Sequence, residues 1–484
     1  MVPKTVYLET FGCQMNVLDS ELVLTQLRRL GYEPTADPRQ ADLALLNTCC
    51  VRQHAEQRAF SRLGELGCIK QQRPGLIIGE LGCMAQRDAP GIAGSMSYVD
   101  VLCGPGRLHE LGDLICRAEM APGRAVAVSD MKRLRRARTA EPRYDDPLEQ
   151  LDLARDAPGN RAQAYVRVQR GCDKFCSFCV VPHVRGPEQS RPPENILLEV
   201  KRLADAGIRQ VTLLGQTINS YTFRAGSHTV RLPDLLAMVH EVPGIERIRF
   251  ITSYPGDFDK SILEAMRNLP KVCEYLHLPA QSGSNRILKM MRRRYSVQQY
   301  DDLVAAARQM VPGISLAGDF IVGFPGETDD DFQATCELLL RTAYKNVFVF
   351  RYSPRPGTAA ARRWVDDVPT CVKGQRNSEL LRLQQEISLE QNRRLVGQTV
   401  EVLVEDFSKA AIKARAKQPS ASAGASWRNP EQLSGRTRGD QIVVFDGPAR
   451  LVGQLVRITI TGATALTLHG RVVDYPACTP SRGS

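Results

Sequence analysis

Three cysteines, Cys172, Cys176 and Cys179, fall within the stretch GCDKFCSFCVVPHVRG that begins at Gly171. The spacing is C-x3-C-x2-C, directly after the apolar run AYVRVQ. A structural zinc site takes four ligands, usually as two pairs, and no second pair lies nearby. Three thiolates can instead anchor a 4Fe-4S cluster and leave one iron open to a small molecule. On that reading the missing fourth ligand is the functional feature, and a structural metal or unrelated thiols is the alternative. Three more cysteines stand just after apolar runs: Cys13 in TFGCQMNVLDSE, Cys49 in LLNTCCVR and Cys83 in ELGCMAQRD. Parallel strands would bring three such ends together, which suggests a second three-thiolate site. Cys50, next to Cys49, competes for the middle position.

The elements that must position these residues follow from hydrophobic periodicity. Over residues 4 to about 130, TVYLET, ADLALLNTC and GLIIGELGC read as strands and SELVLTQLRRLGY as an amphipathic helix ended by Gly31. That alternation predicts a small parallel α/β domain over 1–131. Residues 132–163 break the pattern with KRLRRAR, EPRYDDP and APGN and read as a linker. From 164 to 393, AYVRVQ, QVTLLGQ, RIRFITS, EYLHLPAQ, ISLAGDFIVGF and NVFVFRYS are six strand candidates with helical patterns between them. Six such units predict a partial (β/α)6 barrel with function at the C-terminal strand ends, or an open doubly wound sheet. Residues 394–475 carry short β-rich runs with glycine turns, QTVEVLVED, DQIVVFDG, GQLVRITITGAT and ALTLHGRVV, which suit a small β-barrel. Inside that span, KAAIKARAKQPSASAGASWRNP is polar and reads as a flexible loop. The fold class is therefore α/β with a C-terminal β-barrel.

Composition narrows the setting. Across 484 residues, 43% are hydrophobic and 24% charged, with a net charge of +11. The basic excess fits a nucleic-acid partner. No secretory pattern opens the chain and no run of about 18 apolar residues occurs, so no membrane partner is expected. The expected compartment is the reducing cytoplasm, where 14 cysteines are free thiols or metal ligands rather than disulfides. Buried free thiols are the default for Cys68, Cys103, Cys116, Cys273, Cys336, Cys371 and Cys478.

C-x3-C-x2-C after the first strand of a six-strand barrel resembles the radical S-adenosylmethionine enzymes. Phe178, just before the last cysteine, is a usual family feature. LLGQTINSY, with Gly215 and Gln216, is similar to the segment that approaches the methionyl end of S-adenosylmethionine. GDFIVGFPGET, with Gly323 and Gly326, is similar to the segment near adenine. The N-terminal cysteine segments resemble the methylthiotransferases of that group. The resemblance implies two 4Fe-4S clusters, one on Cys172, Cys176 and Cys179 and an auxiliary one on Cys13, Cys49 and Cys83, together with S-adenosylmethionine. It makes the C-terminal barrel TRAM-like, an RNA-binding module, with Arg436, Arg438 and Arg457 as candidate phosphate contacts. TFGCQMN and FCVVPHVRGPEQSRP resemble the branch that modifies N6-isopentenyladenosine beside the tRNA anticodon. The sequence departs from that pattern at His183, Thr217 and Ala280. The implied partners are the tRNA anticodon stem-loop and an external electron donor, with the chain a monomer. A methylthiotransferase of threonylcarbamoyladenosine and a non-catalytic iron–sulfur RNA-binding protein are the rival readings.

Overall fold

The computed structural model describes residues 3–50, 53–120, 123–131, 146–157, 162–417 and 431–474. The KRLRRAR run and Cys478 lie outside them. The N-terminal sheet has six parallel strands: β1 (Lys4–Thr10), β2 (Tyr32–Pro34), β3 (Leu43–Thr48), β4 (Ile77–Gly82), β5 (Val101–Cys103) and β6 (Ala125–Ala127). Their order is β2-β1-β3-β4-β5-β6. β3 is buried along its whole length, as a continuous apolar run covered on both faces must be. β1, β3 and β4 are neighbours, so the chain segments that follow them emerge side by side at one edge.

In the central region all six expected strands form. Gln163–Arg167, Gln210–Leu214 and Arg247–Ile251 make one parallel set, and Tyr275–His277, Ser315–Val322 and Asn346–Arg351 a second. A parallel bridge from Ile248 to Val272 joins them into one arc. The arc is a partial barrel, open between Gln163–Arg167 and Asn346–Arg351. The C-terminal strands Thr399–Phe407, Glu431–Thr437, Ile442–Gly447, Leu455–Ala463 and Leu468–Asp474 close a small barrel.

Several expectations need correction. Lys409–Lys417, expected as loop, is a helix, and residues 418–430 lie outside the described residues. The strand Glu431–Thr437 (EQLSGRT) has too few apolar residues to announce itself; it buries Leu433, Gly435 and Thr437 on alternate positions. The connector carries a helix, Pro147–Leu153, whose start is capped by Asp146 accepting from the Leu148 N–H at 2.7 Å. Its Glu149 and Asp152 are buried against Arg191 and Arg167, at 2.8 and 3.2 Å. Arg436 and Arg438, expected as phosphate contacts, are half-buried and already paired within the protein. Arg436 pairs with Asp440 at 3.0 Å and Arg438 with Glu274 of the central barrel at 2.7 Å. Arg457 is exposed. Cys103, Cys273 and Cys336 are buried thiols, whereas Cys68, Cys116 and Cys371 are exposed. Among the described residues no helix is long and apolar enough to cross a membrane.

Two polar joints hold the parts together. At the first, Asp19 of the helix Gln14–Arg29 is fully buried and accepts from Arg167 and Arg185, each at 2.8 Å. Apolar packing of Met15, Leu18 and Leu22 with Leu214 surrounds it. At the second, Arg247 meets Glu401 at 2.8 Å and Lys345 meets Asp440 at 3.0 Å, tying the C-terminal barrel to the base of the central one.

Candidate active site

The cysteine loop starts where strand Gln163–Arg167 ends, at the C-terminal mouth of the arc. Gly171 has φ +68°, and a Cβ there would lie 2.0 Å from the Pro187 carbonyl oxygen, so the returning chain packs directly on it. Only glycine meets both demands. The loop is pinned further on: Ser177 donates its N–H to the Met291 carbonyl and its hydroxyl to the Met290 carbonyl, both at 2.9 Å.

Cys172, Cys176, Phe178, Cys179 and Gln216 share the wall of one cavity of about 260 Å³. Gly215, just before Gln216, approaches the Gln169 side chain so closely that a Cβ would be 3.1 Å from its Oε1. Gly323 and Gly326 are not on this wall. Both have positive φ, +69° and +72°, and a Cβ on Gly323 would strike Lys373 at 2.3 Å. They shape the turn after strand Ser315–Val322.

The sequence reading missed the opposite wall. Arg293 donates to Cys176 Sγ at 3.4 Å and to the Pro279 carbonyl at 3.0 Å. Its guanidinium lies 4.5 Å from the centre of the Tyr254 ring. The run MMRRRYS hid it among three arginines. Thr217 Oγ1 lies 3.2 Å from Cys172 Sγ. Burial pushes the Cys172 and Cys179 thiols above the ordinary range, so a compensating cation is needed to make them thiolates.

The N-terminal cysteines follow adjacent strands at one edge of the sheet. Cys13 caps the helix Gln14–Arg29 after β1, Cys49 and Cys50 follow β3, and Cys83 opens the helix Cys83–Ser95 after β4. Gly82, at φ +90°, makes that last turn. A Cβ on Gly12 would lie 2.7 Å from the Cys49 Cβ, which places Cys49 beside the Cys13 turn. Cys83 instead pairs with Cys50, and Arg185 lies near; both hold the Cys83 thiol below its usual range, while the Cys50 thiol is pushed up. Cys50, Cys83, Val180 and Val184 form one packed cluster. The segment directly after Cys179 thus lies against the N-terminal cysteines. Arg355, on the first cavity's wall, also reaches across to Glu56 at 2.6 Å.

Among the described residues no three Cys, His, Asp or Glu side chains converge to hold a metal ion. A single zinc bonds each sulfur at about 2.3 Å and so draws its thiolates tightly together. A four-iron cluster bonds each thiolate to a different iron and needs them further apart. An all-thiol set spread around one cavity fits the second case better.

Residues 5–104 match the uncharacterized protein family UPF0004, 166–339 the radical SAM superfamily and 424–473 the TRAM domain. The tRNA-2-methylthio-N(6)-dimethylallyladenosine synthase of Rhodopirellula baltica is 46% identical over 97% of this chain and 95% of its own length. The chain belongs to that synthase family. The synthase of Moorella thermoacetica is 43% identical over 97% of this chain and 99% of its own. Among solved structures, the radical S-adenosylmethionine methyltransferase TsrM of Kitasatospora setae aligns with TM-score 0.51 at 16% identity, covering 74% of this chain and 75% of that one. That likeness concerns the fold. The TRAM match begins after strand Thr399–Phe407, yet this strand is part of the closed barrel. Membership of the radical SAM superfamily implies a 4Fe-4S cluster and S-adenosylmethionine, and the thiol-lined cavity is chemically suited to both.

Proposed function

We propose that the chain is a tRNA methylthiotransferase that places a methylthio group on C2 of N6-isopentenyladenosine next to the anticodon. The observation that carries this is the meeting of two cysteine sets: Val180 and Val184, just past Cys179, pack on Cys50 and Cys83. Cys172, Cys176 and Cys179 would hold the radical cluster, and Cys13, Cys49 and Cys83 the auxiliary one. The C2–H bond is unactivated and no acid or base at neutral pH removes its hydrogen. The bound clusters and S-adenosylmethionine supply the radical and the methylthio sulfur.

The chain's own residues position and shield. Arg293 and Thr217 hydrogen-bond two of the cluster thiols and orient them. Gln216 offers an amide from the cavity wall beside Cys172. Phe178, Ile321, Phe350 and Tyr352 give the cavity an apolar side that excludes water and suits an isopentenyl chain. A threonylcarbamoyl group carries a carboxylate and needs a cation. Lys174, Arg293 and Arg355 already engage Asp257, Cys176 and Glu56, which leaves Arg351 as the cation on this wall that a carboxylate could use. An external one-electron donor, a monomeric chain and a cytoplasmic setting complete the reading.

The test is to incubate reconstituted protein with tRNA carrying either modification and to weigh the digested nucleosides. Methylthiolated isopentenyladenosine is the expected product. Product from the threonylcarbamoyl tRNA alone would move the chain to the other branch.

A further inference from the structure

A second cavity, of about 480 Å³, lies lower in the open barrel. It is stacked beneath the first along one strand: Phe348 lines the lower cavity and Phe350 the upper. Two strand residues span about 7 Å. Its rim includes Phe348, Leu381 and Leu466, which are 43%, 40% and 75% exposed. Large apolar side chains gathered at a cavity mouth mark a place where something docks.

Amides line the interior. Gln210 is 1% exposed and donates to Gln163 Oε1 at 3.0 Å, yet among the described residues its own Oε1 has no hydrogen-bond partner. Asn346 Oδ1 and Gln384 Oε1 are buried without partners as well. A buried acceptor left unpaired keeps its full desolvation penalty, so these oxygens call for a donor. The floor holds Arg249, Lys345 and Arg436, and all three pair with Asp440. Glu405 lies beside Arg436 at 3.3 Å. Three cations against two carboxylates leave one positive charge on the floor, but each cation is already held in an ion pair, so the cavity is not built around an anion. What it offers is apolar and aromatic faces outside and amide edges inside. A planar, uncharged ring with hydrogen-bonding edges matches both, and that is a nucleobase.

We propose that the lower cavity binds a second nucleobase of the RNA, unstacked beside the one that reacts, and so contributes sequence preference. This rests on the tRNA reading above. A purine of a small nucleoside shares the chemistry; the opening beside Leu466 of the C-terminal barrel favours RNA.

The experiment uses the full chain and its Phe348→Ala and Leu466→Ser variants, with iron content and circular dichroism measured on each preparation. The probes are a labelled anticodon stem-loop RNA and the same RNA made abasic at either neighbour of the reacting adenosine. Wild type should lose about tenfold in affinity at one of the two abasic positions, as loss of one stacked base predicts. Phe348→Ala should lose about tenfold on intact RNA and show no further loss on that abasic RNA. Leu466→Ser, on an exposed turn at the cavity rim, should show the same pattern at smaller size. Equal abasic sensitivity in wild type and both variants overturns the proposal. So does weakened binding of adenosine or S-adenosylmethionine with RNA affinity unchanged, which assigns the cavity to a small nucleoside. Wild type that binds no stem-loop RNA at all refutes the tRNA reading itself, a result distinct from the other two.

Discussion

The two sets of cysteines in this protein are assembled at different range. Cys172, Cys176 and Cys179 lie on one loop and need only that loop's shape, which Gly171 and the Ser177 hydrogen bonds impose. Cys13, Cys49 and Cys83 span 71 positions of sequence and come to one edge of the sheet only because β1, β3 and β4 are adjacent. A local site can be read from spacing; a topological one can be read only from strand order. The first should therefore tolerate damage to the domain joint, and the second should not.

The largest effect is expected at the local set. Replacing Cys172, Cys176 and Cys179 together with Ala should abolish cleavage of S-adenosylmethionine, since each thiolate is one of only three anchors. Iron should fall by about half, assuming two four-iron clusters, because the N-terminal set does not depend on that loop for its ligands. Retained cleavage would break the assignment. Loss of all iron would show that the two sets are not independent.

A smaller effect, with the opposite distribution, is expected from Asp19→Asn. Asp19 is buried between Arg167 of the central barrel and Arg185, and Arg185 in turn lies near Cys83. Removing one partner of a buried pair leaves charge uncompensated and costs about 3 kcal/mol. Denaturant unfolding should show that loss. In the folded fraction, the N-terminal cluster should be depleted before the barrel cluster, read by iron content against S-adenosylmethionine cleavage. Equal loss of both would mean that the joint supports the whole molecule rather than the topological set.

What was legible follows the same division of range. The six central strands were readable because buried parallel strands are nearly continuous apolar runs, as in VTLL and IRFI. The helix Pro147–Leu153 was not, although Asp146-Pro147 is a capping signal, because its burial rests on ion pairs with arginines 15 and 42 residues away. Arg436 and Arg438 looked like phosphate contacts for the same reason: composition shows charge but not the carboxylate that awaits it. Arg293 was invisible as a wall of the cavity, since nothing local separates it from Arg292 and Arg294. Among the candidate cysteines, spacing alone does not order Cys49 against Cys50, and only the family resemblance places the ligand at Cys49.

The smallest expected effect separates those two. Cys50 is the residue that contacts Cys83, and that contact could suggest that it is the ligand. One observation favours Cys49: it lies beside the Cys13 turn, where Gly12 leaves room for its Cβ. Successive residues of an extended segment point to opposite sides, so only one of the pair can face the Cys13 side. Cys50→Ala should then keep full iron content and most activity, at a packing cost of about 1 kcal/mol. Cys49→Ala should lose the N-terminal cluster while leaving S-adenosylmethionine cleavage intact. The reverse pattern in iron assays would make Cys50 the ligand and would mean that the Cys50–Cys83 contact already outlines the site.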